Sequence, residues 1–398
     1  MFSQWVQGYS LDARTVRIIY ATLYSVFPVV EVWVTRSDDL LFVCSMDERP
    51  QSVEELRKRI DSEPFWSALL YGWSTVDLEG FLAHYVANPE LARIMAATDL
   101  EDGLVNTDDR MLIEFSFART LGKPGRKVIN EFRQEAWSRK MHSPVWLDSS
   151  VDWKLVIDNS FLMLANMGFQ VNSQGMTDDQ QARNAAYNFF NRDQMAADQI
   201  LQAWSRQNRE PLYPLELAML AEAYAEKGDS RALSLVNQLN KFHPVTAKVI
   251  LARYHWRSGN SSLALDALKT ALTNFRVYPW VQFRVMYRSF DLALEMVNTL
   301  PEKALELFEL LSEPFCVKIH EYTRGVKLIQ IASTLPPTQG IKALQQLEPH
   351  FPWNEGFLRY RMQVYQELNH SLAPLAQKEL DAFLKHKQDS FFDDPRNR

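Results

Sequence analysis

The stretch "LAMLAEAYAEKGDSRALSLVNQLNKFHP", residues 217–244, decides how most of this chain is read. Two helix-length runs meet at a glycine. The first carries Ala221 and, near its end, Tyr224; the second carries Ala232 early. A second copy, "KVILARYHWRSGNSSLALDALKTALTNF" at 248–275, repeats the plan with Ala252, Tyr254 and His255, Gly259-Asn260 and Ala264. Small side chains let two helices cross closely. A glycine supplies the left-handed residue that ends one helix and turns the chain.

Weaker copies centre on Ala197, Ala304, Ala343 and Ala376. With Ala232 and Ala264 the centres are spaced by 32 to 40 residues, which predicts about six helical hairpins. This plan resembles the tetratricopeptide repeat, whose period is about 34 residues. The expected fold is mainly α, a TPR-like helical-hairpin solenoid over 177–386, with a concave surface suited to a protein or peptide partner. Residues 123–176 are expected as a helical linker region and 387–398 as a mobile tail.

Composition agrees with a helical array. The 398 residues include only 13 glycines, well under half of the usual roughly 7 %. Enzymes that cradle phosphates spend glycine where backbone must approach the ligand. Net charge is −6 without a long basic block, which argues against non-specific nucleic-acid binding. "RGVKLIQIA" (324–332) and "FLRYRMQVY" (357–365) interleave basic, aromatic and apolar residues as an RNA-binding face would. With an acidic chain, the solvated flank of an ordinary repeat is the favoured reading. No apolar run reaches the roughly 18 residues of a membrane span. The two cysteines, Cys44 and Cys316, form no CxxC, so a reducing, cytoplasmic setting is expected. Ile18 to Val30 follows two arginines but contains Pro28 and no cleavage site, unlike a signal peptide.

The front of the chain has a different pattern. Asp12 is placed to cap a helix carrying Val16, Ile19, Tyr20, Leu23 and Phe27 until Pro28 stops it. "VVEVWV" (29–34) alternates, "TRSDD" turns, and "LLFVCS" (40–45) returns, so a β-hairpin is predicted. A hairpin alone is marginal in water and needs a larger sheet. Unpaired, its two strands would present an apolar edge that invites self-association. "SVEELRKRI" (52–60) and "DLEGFLAHYVANPELARIM" (77–95) read as short helices. Met111 to Phe117 reads as a strand and "GKPGR" (122–126) as a linker.

These front elements resemble the C-terminal end of the spermidine synthase (polyamine aminopropyltransferase) domain, and most resemble bacterial spermidine synthase-like proteins that continue into helical repeats. The residues carrying the likeness are Gln4-Trp5, Tyr9, Val26-Phe27-Pro28, Glu31 to Val34, Leu40 to Ser45, and "NTDDRMLIEF" at 106–115. Met111 stands where that family often has proline. The resemblance implies that 1–122 is the remnant of a Rossmann-like domain: its last helix and its antiparallel strands, with a helical extension. It implies that the site for decarboxylated S-adenosylmethionine belongs to a missing N-terminal half, leaving this chain non-catalytic by itself. It also admits a membrane-attached parent protein.

Under that resemblance Gln4 and Tyr9 follow the strand bordering the amine site, where an amide oxygen or a phenol would accept a hydrogen bond from a polyamine. Both also read as ordinary edge and core residues. Asp108 and Asp109 sit in a turn, where adjacent carboxylates diverge, so capping is favoured over metal binding. No catalytic residue, cofactor loop or metal set is expected from 1–398. "GKPGR" lacks the spacing of a phosphate-binding loop.

Overall fold

A computed structural model describes residues 1–8, 11–35, 39–48, 50–114, 116–119, 128–147, 150–166, 176–192, 195–207, 209–348 and 350–393. The chain is mainly helical with one small antiparallel sheet. It divides into two compact units, 1–191 with 202–215, and 192–201 with 216–398.

In the first unit β1 (Phe2–Val6) leads into α1 (Ala13–Tyr24), then β2 (Val29–Val34) and β3 (Leu40–Ser45). Asp12 caps α1 as expected, its side chain accepting from Thr15 N at 2.7 Å. Next come α2 (Val53–Ile60), α3 (Phe65–Trp73), α4 (Leu78–Leu82), β4 (Tyr85–Ala87) and α5 (Pro89–Glu101). Ser52, Asp77 and Asn88 cap α2, α4 and α5 with their side-chain oxygens. Then follow α6 (Val128–Ser138), α7 (Trp153–Asn166) and α8 (Asp178–Phe190).

The strand order is β1-β3-β2-β4, with every neighbouring pair antiparallel. It follows that β1 and β2 run parallel, joined through α1, with β3 inserted between them. On one face, Val16, Ile19 and Tyr20 of α1 join Val30, Val32 and Val34 of β2, and Leu40 and Phe42 of β3, in a core. Leu91 and Ala96 of α5 and Phe132 and Ala136 of α6 close it. Fully burying a residue such as Phe42 contributes about 1.5–3 kcal/mol. The opposite face is covered only in part by α2, α3 and α4.

Three expectations for the front need correction. The hairpin does not leave its edges bare: β1 pairs along β3, and β4 pairs with β2. The edge strands among the described strands are therefore β4, whose residues are buried, and β1, whose Phe2 and Trp5 are 41 % and 53 % exposed. "YVA", read within a helical pair, instead forms β4, because Asn88 and Pro89 restart the helix just beyond it. The strand expected over 111–117 is not formed in its described residues. Ile113 N donates to Asn106 Oδ1 at 3.2 Å, which spends a ladder amide on a turn, and Ser116–Arg119 is a 3-10 helix. Asn106 N in turn donates to Thr22 Oγ1, at 2.9 Å, which fastens this turn to α1. The "GKPGR" linker lies outside the described residues.

α9 (Ala197–Trp204) lies across the division. The second unit continues with five helix pairs: α10 (Pro214–Glu226) and α11 (Arg231–Leu239), α12 (Pro244–Arg257) and α13 (Ser261–Asn274), α14 (Phe283–Thr299) and α15 (Ala304–Ser312), α16 (Glu321–Ala332) and α17 (Pro337–Leu347), α18 (Glu355–Glu367) and α19 (Ala373–Asp393). Ala232, Ala264, Ala304, Ala343 and Ala376 are all buried on the second helices. First helices pack on first helices (α12 on α14, α14 on α16), and α13 packs on α15. Gly228 and Gly259 take φ of +64° and +79°, as the turns require. A Cβ on Gly228 would lie 3.1 Å from the carbonyl oxygen of Arg257, so the turn of one pair rests on the backbone of the next. α19 runs to Asp393 and Lys387 pairs with Glu355 at 2.8 Å, while residues 394–398 of the expected tail lie outside the described residues.

Buried ion pairs fasten the pairs together. Glu222 of α10 is fully buried and receives Arg288 Nε and Nη2 from α14 at 2.9 and 2.5 Å. Arg253 of α12 donates to Glu226 Oε2 at 2.6 Å and to the backbone oxygen of Arg288 at 3.0 Å. Arg257 extends the chain of pairs from Glu226 to Glu295.

Candidate functional site

The uncovered part of the sheet's second face forms a pocket of about 580 Å³. Its floor follows from strand alternation. Val29, Glu31 and Trp33 of β2 and Leu41, Val43 and Ser45 of β3 point to this face, while Val30, Val32 and Phe42 point to the core. The walls are Leu56 of α2, Trp73 of α3, Phe81 of α4 and the segment Val145-Trp146.

The aromatic wall is fixed by ring contacts. Trp33 meets Tyr85 edge-on at 4.9 Å and Phe81 at 4.8 Å. Trp73 stacks on Phe81 at 5.7 Å and on His84 at 3.9 Å. His84 is buried and its Nδ1 lies 2.9 Å from the backbone oxygen of Val34. Burial holds its pKa down to about 3, so it is neutral near pH 7. Arg57 grips Glu79 through two hydrogen bonds of 2.9 and 2.5 Å, tying α2 to α4 beside the pocket.

Glu31 is the chemically distinctive group. Its Oε1 accepts from the Tyr85 hydroxyl at 3.0 Å and from Trp146 Nε1 at 3.2 Å. Both bonds end on the same oxygen. Burial pushes the carboxyl above its ordinary range, and the two donors pull it part of the way back. The only other ionisable side chain among the described lining residues is Glu48, and Met1, which carries the chain's α-amino group, also lines the pocket. The pocket therefore presents negative charge and aromatic faces, with no basic side chain opposing them.

Of the residues suggested by the family resemblance, Gln4 lies within β1, not beyond its end. It is exposed and donates from Nε2 to the backbone oxygen of Trp5 at 2.7 Å. Tyr9 lies outside the described residues. Gln4 is not among the residues lining the pocket. Asp108 and Asp109 are exposed in the turn between Thr107 and Arg110. Sequence reasoning missed Glu31 as a site residue. The signal was present: it is a charge set between Val29 and Trp33 on one side of an otherwise apolar strand.

One basic residue of each interleaved stretch faces inward, while Arg359 is exposed. Arg324 is 2 % exposed and bonds Glu321 and the backbone of Leu311. Arg361, equally buried, bonds Glu348 and Glu379 and lies over the Phe351 ring. They fasten helices together and offer no charge to a nucleic acid.

Among the described residues, no cluster of three or more His, Cys, Asp or Glu could hold a metal ion, and no helix is long and apolar enough to cross a membrane. Comparison with family models, curated proteins and solved structures returned no match to this chain.

Proposed function

We propose that this chain is the C-terminal portion of a spermidine synthase-like protein, in which the second unit is a TPR-like array for protein–protein interaction. The observation that carries this reading is the strand order. A helix crossover joins two parallel strands, β1 and β2, and an antiparallel strand, β3, lies between them. Strands that run parallel within one sheet need a crossover of this kind, usually a helix, as in α/β folds. The free edge of β1 is where such a sheet would continue into an upstream half.

In this reading the chain alone performs no transfer chemistry. The decarboxylated S-adenosylmethionine site, and the carboxylates that position the attacking amine, belong to the upstream half; Gln4 and Tyr9 border the amine site from this side. Joined to that half, the protein would be an aminopropyltransferase of polyamine biosynthesis. What supports the interaction role is that successive helix pairs pack first helix on first helix (α12 on α14, α14 on α16) and bury an alanine on each second helix. Stacked pairs of that kind create an extended surface for a protein or peptide.

The test is an intact mass of the native protein together with the reading frame upstream of the Met1 codon. An in-frame extension encoding a glycine-rich loop and its acidic partners would support the reading, and aminopropyl transfer to a diamine would then be assayed on the longer chain. A native mass matching 398 residues, with nothing coding upstream, would end the enzyme reading.

A further inference from the structure

We propose that the pocket over β2 and β3 binds an organic cation, an ammonium group carried on an apolar body, with the charge on Glu31 and the body against Trp33, Trp73 and Trp146.

Four observations carry this. Glu31 reaches the pocket with one oxygen occupied by Tyr85 and Trp146, while Oε2 takes no hydrogen bond from a described residue. Tyr85 and Trp146 are neutral donors, so the carboxylate keeps its charge uncompensated, unlike Glu222, which is bracketed by two arginines. The described lining side chains include Glu31 and Glu48 and no lysine, arginine or histidine; even with the amino group of Met1 counted, the lining is net negative, so the field favours a cation over an anion. The walls are aromatic faces, whose negative quadrupoles attract an ammonium group, and at about 580 Å³ the pocket is the size of a small-molecule site.

An apolar ligand without charge would cover Glu31 and strip its remaining water while giving it no partner. Burying a carboxylate unpaired is costly, so the pocket discriminates against neutral shape-mates. The inference does not depend on the upstream half or on the repeat reading, since every group it uses lies between Val29 and Trp146.

The test uses the whole chain and three probes of similar shape: hexylammonium, 1-hexanol and hexanoate. Binding is followed by tryptophan fluorescence and by calorimetry. Hexylammonium is expected to bind at least about tenfold more tightly than hexanol, with hexanoate weakest. Glu31→Gln, which keeps the shape and an acceptor for Tyr85 and Trp146, should bring hexylammonium to the level of hexanol without altering the circular dichroism spectrum. Equal affinity for hexylammonium and hexanol, or no saturable binding of hexylammonium to the wild-type chain, would overturn the proposal. That wild-type series stands whether or not the variant folds. It also leaves the proposed function untouched, since an upstream reading frame is found or not found independently of it.

Discussion

Two glutamates, Glu222 in the second unit and Glu31 in the first, are treated in opposite ways. In the second unit Glu222 is enclosed between Arg253 and Arg288, and Glu226 and Glu295 continue the same row of pairs across α10, α12 and α14. In the first unit Glu31 sits on the sheet with only a phenol and an indole for company. The paired glutamates join three helices that the repeat must hold in step. The unpaired one opens onto a pocket. A buried charge whose partners are all internal is structural, and one whose charge is left over points outward to something not yet bound.

The contrast can be broken most directly at Glu222. Glu222→Ala leaves two buried guanidinium groups without their shared carboxylate and should cost about 3–5 kcal/mol. Urea unfolding followed by helical circular dichroism measures it. A loss below about 1 kcal/mol would mean that the row of pairs does not hold the array.

The next effect is acid sensitivity in the first unit. The folded-state pKa of His84, about 3, lies below the ordinary value of 6.5. Its contribution is therefore present above pH 6.5 and is lost as pH falls toward 3. By pH 5 the loss should be roughly 2 kcal/mol relative to pH 7. His84→Phe should flatten that part of the stability profile. His243, held down to about 4 by burial, gives the second unit a slope of the same sign. An unchanged profile in the His84→Phe variant would assign the acid loss elsewhere.

Glu31→Gln sharpens the comparison from the other side. Because no cation is lost, unfolding stability should change by less than about 1 kcal/mol, far less than at Glu222. The smallest effect is expected at the open sheet edge. Trp5→Lys should leave stability within about 0.5 kcal/mol while lowering self-association in sedimentation velocity. Association that persists unchanged would mean that β1 is not the sticky edge.

Much of this architecture was legible wherever one local pattern decides it. Asp12 before an apolar helix, the alternation in "VVEVWV", and Gly228 and Gly259 after aromatic helix ends each state their conformation within a few residues. β1 was missed because "FSQWV" buries almost nothing and shows no clean alternation; only its pairing with β3 makes it a strand. The reading of 111–117 failed because Asn106 captures Ile113 N, a contact that strand propensity does not encode. The pocket was illegible for a similar reason. Its floor comes from residues 29–45 and its aromatic walls from Trp73, Phe81 and Trp146, brought together only by the fold.

Gly228 carries a last consequence. Its turn meets the Arg257 carbonyl backbone to backbone, and the Ser258 hydroxyl reaches its oxygen at 3.5 Å. The rise from the first helix pair to the second is thus set by a missing methyl group. A side chain at 228 would act as a wedge under one step of a staircase. The helix pairs beyond it would tilt with it, so the angle between the first pair and those that follow is set at this one position.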